Sequence, residues 1–243
     1  VSNPTTELPQ QPTPEVHHEH RDVAGGWLRP TVFGTMDGLV TNFAMILGLS
    51  GGHASRHVVV LGGLASLLAG ALSMASGEYV SVQSQNESTR AELDVERHEL
   101  VHNAQAELLE LTEMYVARGV DPETAAKVAS QLSRDPEQAL VVHAQEELGV
   151  DPHQLPSPYV AAVSSLLSFS IGALLPLLPY LFGATSSVPA VAVSVVMLFV
   201  AGAVSSRFTA RTWVFAGTRQ LLLGGVAAAV TFGIGSLFHV GVS

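Results

Sequence analysis

"VFGTMDGLVTNFAMILGLS", residues Val32–Ser50, is apolar enough to lie in lipid, yet it carries one carboxylate, Asp37. A bilayer-spanning helix needs roughly 20 apolar residues. An acid inside such a run is costly and marks an ion or proton path by default. The local alternative is that Asp37 caps a bent helix or bonds to Thr41 and Asn42.

The rest of the chain supports the membrane reading. Of 243 residues, 47% are hydrophobic and only 13% charged, about half the charged share of a typical soluble domain. Four further segments are long and apolar enough to span: His57–Val82, Tyr159–Phe182, Val188–Ser206 and Gln220–Val240, against Thr31–Ser50 for the first. The expected fold is an all-α membrane protein of five transmembrane helices, with a helical cytosolic domain inserted between the second and third. The boundaries are a disordered, proline-rich tail over 1–26, helices 1–2 over 27–84, the insert over 85–157 and helices 3–5 over 158–243. Pro176 and Pro179 are expected to kink the third span. With no cysteine, thiolate chemistry is excluded. No basic footprint for nucleic acid is present.

Charge fixes the expected orientation. With the N-terminus inside, ten of the eleven basic residues lie on the cytosolic side, and only Arg56 lies outside. Arginine outnumbers lysine ten to one, which points to a bacterial inner membrane as the host.

Asp37 lies about two turns from the cytosolic end of the first span. Met74 lies at similar depth in the second, and Glu78 follows it by one helical turn on the same face. Together with Asn42 these residues make a candidate transport path. A carboxylate with a thioether suits Fe²⁺ or Co²⁺ better than Mg²⁺ or Ca²⁺, and a carboxylate that gains and loses a proton suits proton coupling. Met74 taken alone reads as packing.

Fifteen of the 21 acidic residues fall between Glu87 and Asp151. Glu96, Glu99, Glu107 and Glu110 share one face of a continuous helix, within a stripe roughly 80° wide. No basic residue is aligned with that stripe. Glu146 and Glu147 form a second acidic pair, with His143 one turn before Glu147. Facing glutamates with a histidine are how helical proteins hold transition metals, although a charge run is also the ordinary look of a solvated face. On a straight helix Glu96 and Glu107 would stand about 16 Å apart. Either the helix breaks near His102–Ala104 and folds the second pair back, or the sites are separate.

"MDGLVTNFAMILGLSGG" (36–52), "ALSMASGEYVSVQSQNE" (71–87), "SIGALLPLLPY" (170–180) and the glutamate-rich insert together resemble the vacuolar iron transporter family, from about Trp27 to the C-terminus. The resemblance implies a homodimeric Fe²⁺/H⁺ exchanger that moves iron out of the cytosol, with Asp37 and Met74 on a path at the dimer interface. It also implies that Glu96, Glu99, Glu107, Glu110 and Glu147 bind metal in a domain of several short helices. Two positions depart from plant-type members. His143 and Ala144 replace a methionine pair, and Ser66 replaces a glutamate.

The expected function is therefore proton-coupled export of Fe²⁺, with Mn²⁺, Co²⁺ and Zn²⁺ as further candidate ions, and no enzymatic activity. The competing readings are a membrane-anchored di-iron oxidase or storage protein using the insert, and a scaffold whose acidic domain docks a basic partner. Against the oxidase, Glu99 and His102 supply only one E-x-x-H, where a ferritin-like centre needs two. "HHEH" at 17–20 reads as part of the solvated tail.

Overall fold

The computed structural model describes residues 27–208 and 211–238. Among them the chain is helical and without strands. Helix α1 covers Leu28–Gly51, α2 Arg56–His102, α3 Ala104–Ala117, α4 Pro122–Leu132 and α5 Pro136–His143. A π-helical turn follows over Ala144–Leu148, then α6 (Pro158–Leu181), α7 (Val188–Ser205) and α8 (Trp213–Phe238). Of these, α1, α2, α6, α7 and α8 are long and apolar enough to cross a membrane. The tail over 1–26, with its histidines, lies outside the described residues.

The helix starts follow from local chemistry. Asp121 and Asp135 each precede a proline, and their carboxylates accept from Thr124 N and Glu137 N, both at 3.0 Å. These caps satisfy backbone donors that a first turn leaves free, while proline at the first position costs no hydrogen bond. Helix α8 begins at Trp213 rather than at Gln220. The stretch Trp213–Gly217 is itself apolar, and the helix carries the short polar step Thr218–Gln220 with Arg219 on the exposed face. Helix α6 runs unbroken through Pro176 and Pro179 to Leu181.

Helix α2 holds 47 residues, a length of roughly 70 Å against ~30 Å for a hydrocarbon core. Its first half is apolar and its second half polar. One rigid element thus joins a membrane-length segment to the acidic region.

Helix α1 sits at the centre of the apolar bundle and packs on α2, α6, α7 and α8. Its approach to α6 depends on glycine. A methyl group at Gly38 would collide with the Phe169 carbonyl, and one at Gly172 with the Thr35 carbonyl. Small residues at such crossings let helix backbones approach closely, which is how helices associate without a hydrophobic driving force between them. Thr231 Oγ1 on α8 donates to the Ala44 carbonyl of α1 at 2.6 Å. Arg56 donates to the carbonyls of Tyr180 and Leu181 at 2.8 and 3.3 Å, closing the end of α6. Buried apolar clusters fill the seams: Leu39, Phe43, Leu198 and Ala228 in one, Ile46, Val59, Leu177 and Tyr180 in another. Leu93, Leu140 and Ala144 form a separate small core in the polar region.

Candidate metal centre

Helix α2 stops at His102. Asn103 has φ −125° and ψ 31°, outside helical geometry, and α3 starts at Ala104. The Asn103 carbonyl accepts from Ala106 N and Glu107 N, and its side-chain amide donates to Glu99. Of the two arrangements open to the glutamate stripe, the broken helix is the one found.

The break folds α3 back and brings Glu107 to Glu96. From the other side come His143, at the end of α5, and Glu147, in the π-helical turn. One ligand atom from each of Glu96, Glu107, His143 and Glu147 lies within 4.8 Å of the other three. His143 is fully buried, with Nδ1 at 2.9 Å from Glu147, 3.0 Å from Glu96 and 3.7 Å from Glu107. The wide turn is closed by Gly149 at φ 66°, a left-handed conformation that suits glycine. Such turns are frequent at functional sites.

Three carboxylates around one imidazole nitrogen leave negative charge uncompensated. Nδ1 carries one proton at most and bonds Glu147. Glu96 Oε1 is buried without an aligned donor, and His143 Nε2 is buried without a partner. Burial raises the Glu96 carboxyl to about 7, helped by the charges of Glu147, Glu107 and Glu110 and opposed by His143. Burial also raises Glu107, with Glu110 the next cause. A divalent cation would relieve both the charge and the unpaired oxygen. Three oxygens and one imidazole nitrogen suit Fe²⁺, Mn²⁺, Co²⁺ or Zn²⁺, and contain no sulfur to favour a soft ion.

The other glutamates named from sequence stand outside this cluster. Glu99 holds Asn103 at the bend. Glu110 is exposed and acts on Glu96 and Glu107 through its charge. Glu146 pairs with Arg118, at the end of α3, rather than facing His143. His102 stacks on His98 with ring centroids 3.9 Å apart, so the E-x-x-H at 99–102 supplies no histidine to the cluster. The bend falls at Asn103, inside the His102–Ala104 span where a break is expected, whereas nothing in the sequence marks Arg118 as the partner of Glu146. Adjacency in sequence gives no sign of the ion pair that carries Glu146 away from Glu147.

In the bundle, Asp37 is exposed on α1, and Thr41 Oγ1 donates to it at 3.4 Å. Met74 is half-buried and packs on Ala71, Phe169 and Ala173. Because Gly38 also abuts Phe169, Asp37 and Met74 lie at the level of the same α6 residue. Glu78 is half-buried one turn further along α2. Asn42 is not on Asp37's face. It is fully buried and donates to the Ala173 carbonyl at 2.5 Å, tying α1 to α6. The reason is angular, since five residues along a helix turn the side chain by roughly 140°.

Fold and cluster together define a multi-helix membrane protein with a candidate metal centre at the far end of one long helix. Residues 28–236 match the VIT family, and the chain belongs to it. It is 38% identical over 226 residues to "Vacuolar iron transporter" of Acanthamoeba castellanii, covering 90% of this chain and 82% of that protein. Similarity to "Vacuolar iron transporter 1" of Oryza sativa subsp. japonica is 31% over 224 residues (90% of this chain, 89% of that one). For "Vacuolar iron transporter 1" of Arabidopsis thaliana it is 28% over 228 residues, 92% and 91% of the two chains. All three bear the names of transporters and none that of an enzyme.

Proposed function

We propose that this chain is an iron transporter that moves Fe²⁺ out of the cytosol in exchange for protons. The observation that carries the reading is the convergence of Glu96, Glu107, His143 and Glu147 within 4.8 Å, on an element continuous with a membrane-length helix. The names of the relatives supply the ion. On this reading residues 85–157 form a cytosolic domain that gathers metal, and the N-terminus faces the cytosol. Asp37, Met74 and Glu78 then pass the ion across, with Asp37 binding metal and proton in turn. Mn²⁺, Co²⁺ and Zn²⁺ fit the same donor set and are candidate alternative cargoes.

Asp37 also supports a homodimer. Acids within membrane helices face a protein interior or a water-filled cavity, whereas Asp37 is exposed on the single chain. A second copy set against that face of α1 would remove it from lipid.

The test is transport by purified protein in liposomes under an imposed pH gradient, with internal pH followed alongside metal. Fe²⁺ movement with opposing proton flux is expected, and Asp37→Ala should abolish both. Full transport by Asp37→Ala would overturn the mechanism. Oxygen-dependent Fe²⁺ oxidation without transport would favour the oxidase reading.

A further inference from the structure

Two hollows meet along Val200 and Val204 of α7, at the end of the bundle where α1 begins, α7 ends and α8 begins. The first, between α1 and α7, holds about 340 Å³ and is lined almost wholly by apolar groups, among them Trp27, Val32, Met36, Met197 and Phe208. The second, beside it, is lined by Arg207, Arg211, Thr212 and Trp213. On α1 the apolar hollow lies opposite Asp37. Thr31, Thr35 and Val32 line it, and they project roughly 120–220° around the helix from the carboxylate.

Charge adds to the shape of this region. In the polar region Arg97, Arg118 and Lys127 pair with acids, while Arg90 and Arg134 do not. Arg207 and Arg211 likewise pair with no carboxylate among the described residues, and here the two line one hollow together. The guanidinium of Arg211 lies 5.9 Å over the Phe215 ring, on the first turn of α8. The N-terminal turn of α8 adds backbone N–H groups and the positive end of the helix dipole. Arginine's planar fork matches phosphate oxygens, and basic pockets between membrane helices recognise anionic lipid headgroups.

We infer that this composite hollow is a binding site for one anionic glycerophospholipid per protomer. The phosphate sits on Arg207 and Arg211, and one acyl chain lies in the groove between α1 and α7. Both parts are required. A basic rim alone would give diffuse surface attraction, and an apolar groove alone would not distinguish anionic from zwitterionic lipid.

The test is native mass spectrometry of the full chain released from detergent and titrated with phosphatidylglycerol or phosphatidylcholine. Phosphatidylglycerol is expected to remain as a discrete adduct of one per protomer, with phosphatidylcholine held about tenfold more weakly. The double substitution Arg207→Gln, Arg211→Gln should remove that preference. Ala201→Phe, which fills the groove and leaves the charges in place, should reduce retention of both lipids. Equal retention of the two lipids by the unaltered chain would overturn the site. So would an Ala201→Phe protein that binds normally, because the attraction would then be surface charge only. Should either variant fail to fold, a phosphatidylglycerol with a photoactivatable acyl chain decides on the unaltered protein. Crosslinks confined to α1 and residues 197–208 support the site, and crosslinks spread over all the helices contradict it.

Discussion

A carboxylate oxygen of Glu96 and one of Glu107 lie within 4.8 Å of each other, although the residues sit on different helices and a straight helix would hold them about 16 Å apart. The bend at Asn103 makes the pair, and a half-buried acid held that close to a buried one is relieved by a cation or a proton between them. If they share one ion, their losses are coupled. Glu96→Gln and Glu107→Gln should each weaken Co²⁺ binding by ~10–100-fold. The double variant should lose far less than the product of the two. Calorimetric titration of the full chain checks this, and independent additive losses would mean separate sites.

Proton competition should be visible near neutrality. The Glu96 carboxyl is raised to about 7 from an ordinary 4.5, so the folded apo protein binds a proton there more tightly than the unfolded chain does. Its contribution to stability is therefore full below about pH 4.5 and lost as pH rises towards and through about 7. Metal acts in the opposite sense, because its ligands must be deprotonated. Thermal unfolding followed by circular dichroism should show metal-free protein losing stability as pH rises across this window. Added Co²⁺ should stabilise it most above about 7.

The Arg118–Glu146 pair joins the end of α3, the helix that carries Glu107, to the turn that carries Glu147. Both side chains are partly exposed, so the pair itself contributes at most about 1 kcal/mol. Its effect on metal should be larger than its effect on stability. Arg118→Gln is expected to weaken Co²⁺ binding severalfold with little change in Tm, and the swap Arg118→Glu with Glu146→Arg should restore much of the loss. Were Glu146 itself a ligand, the swap would abolish binding.

Close helix approach sets a second limit. At Gly38 any side chain meets the Phe169 backbone, whereas at Gly77 and Gly225 a methyl group meets nothing within 4 Å. Gly38→Ala should destabilise the protein by ~1–3 kcal/mol, read as a lower unfolding temperature in detergent. Gly77→Ala and Gly225→Ala should leave stability unchanged or raise it, by up to ~1 kcal/mol.

Much of this architecture is legible in the residues themselves. Apolar runs mark the five long helices, and Asp121-Pro122 and Asp135-Pro136 mark the starts of α4 and α5. The cluster is only partly legible. Helical periodicity groups Glu96, Glu99, Glu107 and Glu110 on one face, but it assumes a straight helix, and the break at Asn103 keeps Glu96 and Glu107 together while separating the other two. The π-helical turn has no pattern to announce it, so Glu146 and Glu147 read as equivalent neighbours when one faces Arg118 and the other His143. Asn42 shows the same limit. Its proximity to Asp37 in sequence suggests the path, but its angle around α1 delivers it to Ala173.

His143 is the candidate ligand that would most sharply separate this centre from a thioether-containing one. X-ray absorption at the cobalt edge, on full-length protein loaded with one Co²⁺ per chain and compared with His143→Ala, reads the coordination shell directly. A shell of oxygen and nitrogen only is expected, with the outer-shell scattering of a single imidazole that disappears in the variant. A sulfur ligand, or an imidazole signal that survives His143→Ala, would contradict that expectation.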